Sequence, residues 1–457
     1  MQNQAPAENK MGIMPIPKLM ANMSVPMILS MLVQALYNIV DSLFVARINE
    51  QSLTAVSLAF PAQNMMIGVA TGTAVGVNAL LSRALGEKNH ALVNDYAEHG
   101  VFLALVGYLV FLLFGLFGVR AFFASQTNVE QIVDYGVDYL SVVCCCSFGL
   151  FGQIMFERLM QSTGRTLYTM FTQGLGAIIN IILDPVFIFV LHQGVKGAAI
   201  ATVIGQIVAF LLAMTLNHVK NPDIHLNLRT FRPKRQRVAA IYAIGVPSII
   251  MMAIGSVMTF AMNKILIVYH VAKETAATIF GVYFKLNSFI FMPVFGLNNG
   301  VIPIVAFNYG AGNRRRMLET VRLAVIVVSC YTIMGAIVFL TLPGALLSIF
   351  SASDVMLRYG IPALRIIGTT FIFAGSCIAL GAVFQALGYG IYSMIVSLSR
   401  QLLVLVPVAW LLARVGQSLG NSDLVWLSFP IAELASLATT LILFRRLYKN
   451  VIARVPE

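Results

Sequence analysis

Charge is what this chain has least of. Lys, Arg, Asp and Glu together make up 11% of its 457 residues, against 59% hydrophobic residues, and mean hydropathy is +0.85. So little polar material cannot cover the surface of a water-soluble domain of this length. Cysteine is also sparse: Cys144, Cys145, Cys146, Cys330 and Cys377 all lie in apolar stretches. An odd number of buried thiols with no histidine at ligand spacing excludes a disulfide framework and a zinc site, and reads as small packing residues. The six histidines are scattered, no His-x-x-x-His pair occurs, and no P-loop is present. Neither a metal-dependent hydrolase nor a nucleotide-driven machine fits, so the chain is read as not an enzyme and without a cofactor. Residues 1–18 lack the charged start, apolar core and cleavage site of a signal peptide, and read as a short cytoplasmic segment.

What the chain does have is apolar runs. A bilayer core of about 30 Å needs roughly 20 helical residues. Runs of that length are expected near 19–46, 53–81, 97–118, 133–160, 165–191, 196–218, 238–268, 275–303, 320–342, 357–386, 390–414 and 424–447. Stretches such as Phe102–Phe117 are apolar on every face, which excludes the alternating strands of an outer-membrane barrel. The fold class is therefore an all-α polytopic membrane protein with twelve spans.

The net charge of +12 is unevenly placed. Cations gather around Arg83 and Lys88, Arg158 and Arg165, Lys220 to Arg237, Arg314 to Arg322, and Arg445 to Arg454, while the alternate loops hold isolated ones such as Arg47 and Arg120. That is the positive-inside pattern of a cytoplasmic (inner) membrane protein with both termini in the cytoplasm, not a nucleic-acid patch.

The chain also repeats. Gln161, Gly164, Tyr168 and Met170 recur as Gln385, Gly388, Tyr392 and Met394 (385 − 161 = 224), and Gly72, Gly76, Gly86 and Asn89 recur at the same offset as Gly296, Gly300, Gly310 and Asn313. Matched glycines imply matched helix approaches. Six spans per repeat with basic loops on one side give halves related by a pseudo-two-fold along the membrane normal, a build common in transporters. The expected organisation is an N-terminal segment 1–18, an N-lobe 19–218, a basic linker 219–237, a C-lobe 238–447 and a tail 448–457.

Carboxylates within hydrocarbon mark ion pathways. Asp41 ends a one-face stripe with Gln34, Tyr37 and Asn38. Asp184 shares a face with Asn180, and Thr202 with Gln206. If the stripes converge, Asp41, Asn180, Asp184 and Thr202 suit a small hard cation such as Na⁺. The two acids are equally suited to carry protons. Pro26 removes a hydrogen bond from the carbonyl of Asn22 and is a candidate hinge; Pro185 does the same to Ile181. The second half has Val404 and Val408 where the first has Asn180 and Asp184. Its spans instead carry Glu433, Lys264, Lys285, Arg365 and Arg400. Glu157 and Arg158 lie at the cytoplasmic end of the fourth span, where Glu157 reads as an ordinary interfacial residue, with a cavity-mouth acid that attracts cations as the alternative.

These residues resemble the multidrug and toxic compound extrusion (MATE) family over nearly the full length. The resemblance rests on Ser24-Val25-Pro26, on Gln34-x-x-Tyr37-x-x-x-Asp41, on Gln161-Ser162-Thr163-Gly164 and Phe384-Gln385-Ala386-Leu387-Gly388, and on the glycine-rich stretches Gly72–Gly86 and Gly296–Gly310. Within the family the chain looks most like the DinF-like branch and related bacterial multidrug pumps. That resemblance implies two lobes around a V-shaped cavity and a coupling site at Asp41, Asn180, Asp184 and Thr202. Tyr37 and Tyr139 are implied near the cavity, together with Gln34, Asn38 and Gln206. It further implies a monomeric antiporter exporting organic cations and amphipathic drugs, antibiotics included, in exchange for Na⁺ or H⁺. The alternative is a flippase for lipid-linked precursors, which would use Lys264, Lys285, Arg365 and Arg400.

Overall fold

The computed structural model describes residues 9–456 apart from Thr230 and Ser351, and all regular structure among them is helical. Residues 1–8 of the expected N-terminal segment and Glu457 of the tail lie outside the described residues. In the N-terminal half the spans are α1 (Ile16–Ala46), α2 (Glu50–Gly86), α3 (His90–Ala124), α4 (Glu130–Cys145 and Phe148–Ser162), α5 (Thr166–Val190) and α6 (Gly194–Lys220). The other half gives α7 (Arg235–Tyr269), α8 (Glu274–Gly310), α9 (Arg314–Thr341), α10 (Asp354–Gly368 and Phe371–Ala386), α11 (Gly390–Leu419) and α12 (Ser428–Asn450). Among the described residues ten helices are long and apolar enough to cross a membrane, or up to twelve if each bent pair is one span.

The bends are the feature hydropathy did not reveal. α4 turns by 44° and α10 by 48°, at matching places in the repeat. Both breaks coincide with a hydroxyl bonded three residues back. Ser147 Oγ donates to the carbonyl of Cys144 at 2.8 Å, and Thr370 Oγ1 to that of Ile367 at 2.7 Å, and each carbonyl also accepts the N–H of the same residue in a tight turn.

The repeated glycines build the contact between halves. α1 packs on α8, and α2 on α7. A Cβ at Gly76 would stand 2.3 Å from the carbonyl oxygen of Ile241 on α7, and one at Gly300 would stand 2.6 Å from Ser24 Oγ on α1. At the arginine-rich end α2 meets α8 directly. There a Cβ on Gly86 would lie 2.0 Å from Phe307 O, and one on Gly310 would lie 2.1 Å from Arg83 O. A methyl facing backbone cannot be relieved by turning a side chain. Gly310→Ala should therefore destabilise the protein by about 1–3 kcal/mol, read as a lower thermal midpoint in detergent. An unchanged midpoint would mean that the two helices do not touch.

Residues ahead of α1 close the same end. Asn9 Nδ2 donates to Thr163 O (3.1 Å), while Arg316 donates to Met11 O (3.1 Å) and Met14 O (2.6 Å), so one short segment is tied to both halves. Lys10 donates to Asn22 Oδ1; partial burial, and then the charge of Arg165, hold its ammonium below the ordinary lysine range. The end of the chain between α6 and α7 and the first turn of α7 are strapped to α3, where Asp95 accepts from Lys234 (3.1 Å) and Arg237 (2.8 Å).

Candidate functional site

Three helices of the N-terminal half bring the predicted acids together. Asp41 lies late in α1, where the Gln34–Tyr37–Asp41 spacing turns one face inward. Asp184 sits on α5 immediately before Pro185, and the helix continues as a π-helical turn, Val186–Val190. Proline supplies no N–H to the ladder, and wider π turns recur where a helix must accommodate such a loss. Asp184 is fully buried and Asn180 is 3% exposed. The carboxyl groups of Asp41 and Asp184 lie close enough to interact with each other. One oxygen of Asp41, Oδ1, is buried without a hydrogen-bond partner among the described residues.

Asn180 joins this pair to α6. With the amide nitrogen turned to the carboxylate, it donates to Asp184 Oδ2 at 3.2 Å. Its oxygen then accepts from the backbone N–H and Oγ1 of Thr202, at 3.2 and 3.1 Å. That orientation is chosen because the opposite one sets the amide oxygen against acceptors only. The close approach needed for this bond is supplied by Gly176 and Gly205, whose faces meet with little room for a Cβ.

Tyr37 and Tyr139 stand within electrostatic reach of both acids. The Tyr139 hydroxyl accepts from Gln63 Nε2 on α2 at 3.0 Å. Gln63 is a site residue that the sequence reading missed; its signal is the amide pair Gln63-Asn64 shortly after Pro61 within an apolar run. The other expected cavity residues are less enclosed. Asn38 is exposed and Gln34 half-buried; Gln206 is half-buried, with a buried Oε1 that has no hydrogen-bond partner among the described residues.

Pro26 lies inside α1, as expected, and the carbonyl it releases is not left alone. Thr166 Oγ1 on α5 donates to Asn22 O at 3.4 Å. The long bond ties the proline region of α1 to the helix that carries Asp184, and Ser30 Oγ in turn donates to Pro26 O at 2.9 Å.

Glu157 needs correction. It is not interfacial: it is 2% exposed, and its carboxylate accepts from Thr172 Oγ1 (2.8 Å), Gln153 Nε2 (3.0 Å) and Gln173 Nε2 (2.7 Å). Arg158 beside it donates to Asn299 of α8 at 2.9 Å, across to the other half.

Chemically, the cluster offers two neighbouring carboxylates, an amide, a hydroxyl and two phenols, carried by four helices. Two bare charges at that separation repel strongly in a poorly solvated setting. Such a pair must share a proton or hold a cation. Among the described residues no group of three or more His, Cys, Asp and Glu gathers into a transition-metal site.

A family model described as MatE matches the chain in two segments, residues 26–186 and 247–411, one in each half. The multidrug export protein MepA of Staphylococcus haemolyticus (strain JCSC1435) is 25% identical over 417 residues, covering 91% of this chain and 90% of the relative. MepA of Staphylococcus aureus (strain MRSA252) is 24% identical over 437 residues, covering 94% of each. Among solved structures, an outward-facing conformation of a multidrug resistance MATE family transporter of the MOP superfamily superposes with a TM-score of 0.91. The two are 23% identical, with 98% of this chain and 99% of that chain covered.

Proposed function

The chain belongs to the MATE family, and on that premise we propose that it is a secondary active antiporter exporting organic cations and amphipathic drugs in exchange for Na⁺ or H⁺. Membership makes it a membrane transport protein and not an enzyme. The observation that carries the antiport reading is the proximity of Asp41 and Asp184 at the junction of α1, α5 and α6. Loading the pair with a cation removes the repulsion between the acids, and only a group whose affinity differs between two conformations can move the balance between them. α1 is placed to respond. It carries Asp41, contains Pro26, and packs on α5 of its own half and α8 of the other. In this reading both termini face the cytoplasm, the inward ion gradient loads the acids, and the displaced drug leaves outward.

The flippase alternative asks for basic side chains acting together. Lys264 is exposed, Lys285 lies 6.0 Å over the Phe350 ring, and Arg365 donates to Leu340 O. Drug export is the better supported reading.

Purified protein in phosphatidylcholine vesicles provides the test, with Na⁺ and pH gradients imposed separately and tetraphenylphosphonium as the exported cation. At least one gradient alone should drive accumulation. Equal movement with and without both gradients would contradict antiport.

A further inference from the structure

The C-terminal half lacks the paired acids, yet it buries a polar centre of its own between the corresponding helices. Glu433 on α12 is 5% exposed, and Arg400 Nη1 on α11 approaches its Oε2 at 3.6 Å, a long ion pair. Glu433 Oε1, Ser436 Oγ and Thr440 Oγ1 are all buried without hydrogen-bond partners among the described residues, and their spacing places them along one face of α12. Cys377 of α10 and Tyr283 of α8 complete the surroundings.

Arg400 is the unusual member. It sits within a seven-residue π-helical segment, Ser399–Leu405, that packs against α12, and π-helical turns recur at functional sites. Its side chain stays 31% accessible, and Nη1 makes its closest approach to Glu433. A guanidinium presents five N–H donors in a planar fork suited to a carboxylate, phosphate or sulfonate. A purely structural pair would be expected to use that fork on its partner. Here the long contact with Glu433 supplies charge balance without a close bidentate bond.

We infer that Arg400, balanced by Glu433, is a binding site for the acidic group of anionic or zwitterionic amphiphiles that the protein carries. The inference rests on the export reading and refines its substrate class. Acids in the N-terminal half then receive the cationic end of a guest, and Arg400 in the C-terminal half receives the anionic end. Glu433 keeps the guanidinium neutralised when no guest is bound, which limits the cost of a buried charge.

The test compares two probes in phosphatidylcholine vesicles, the zwitterion ciprofloxacin and the permanent cation tetraphenylphosphonium. Arg400→Gln should raise the KM for ciprofloxacin by about tenfold, the loss of roughly one charge-assisted hydrogen bond, and leave tetraphenylphosphonium export unchanged. Arg400→Lys, which keeps the charge but not the fork, should fall between. Equal loss of both probes would reduce the pair to a staple between α11 and α12 and overturn the proposal, as would no change in either. Glu433→Gln provides a second variant: with its counter-charge gone, Arg400 should bind ciprofloxacin more tightly, and an unchanged or higher KM would count against the site. Replacing about one third of the lipid with phosphatidylglycerol should leave the wild-type KM unaltered. A rise in wild type that is absent from Arg400→Gln would assign the guanidinium to lipid headgroups and overturn the proposal. Failure of wild type to export tetraphenylphosphonium would contradict the antiport reading instead, so the two failures are distinguishable.

Discussion

Asp184→Asn should abolish gradient-driven export while leaving the protein folded, and Asp41→Asn should do the same. In each variant the surviving acid no longer faces a second charge. The repulsion that makes cation loading drive a conformational change is thereby gone. Asn180 donates to Asp184, and its amide oxygen is occupied by Thr202, so an amide at position 184 retains much of the packing. The expected pattern is a loss of at least tenfold in initial export rate, with normal elution on gel filtration and a thermal midpoint near that of wild type. Full export by both variants would remove the acid pair from the mechanism. Thr202→Val should cost less, because Asn180 would keep its bond to Asp184 and lose only the hydroxyl at 3.1 Å.

Glu157 should show the opposite pattern, a large effect on stability. Its carboxylate accepts from three donors in a setting 2% exposed, and removing it strands Gln153 Nε2 and Gln173 Nε2, while Thr172 Oγ1 falls back on Thr169 O at 2.9 Å. Each stranded donor costs about 1–3 kcal/mol in a soluble interior, and less where lipid-embedded chains find new partners. Glu157→Leu should therefore lower the thermal midpoint and the yield of folded protein more than any single change at the acid pair. Glu157→Gln should lie between, since an amide still accepts through its oxygen but turns N–H groups toward donors. If Glu157 instead attracted ions at a cavity mouth, Glu157→Gln would impair transport with no loss of stability, and this account of the residue would fail.

The contrast between these two sites shows what could be read from the chain beforehand. Asp41, Asn180, Asp184 and Thr202 were legible because helical spacing puts Asn180 and Asp184 on one face and because an acid in an apolar run demands a partner. For Glu157 the sequence offered only Gln153, one turn earlier. Thr172 and Gln173 come from the next helix, and the turn at Gly164 that brings them alongside does not reveal which faces meet. The role of Gly86 and Gly310 was partly visible as a repeat; that they press on each other's helix requires the tertiary fold. The bends in α4 and α10 escaped notice because the serine or threonine bonded three residues back at each break leaves no trace in hydropathy. Arg400 and Glu433 were both noticed, but they are 33 positions apart (433 − 400 = 33), and only the packing of α11 on α12 makes them a pair.

The central claim is that drug and coupling ion compete for the Asp41–Asp184 pair. It is tested most directly by measuring tetraphenylphosphonium affinity in detergent across pH and Na⁺ concentration, in wild type and in the Asp41→Asn, Asp184→Asn double variant. In wild type the affinity should weaken as H⁺ or Na⁺ rises, because each cation that loads the acids excludes the drug. In the double variant it should be flat. The same dependence in both proteins would contradict the account.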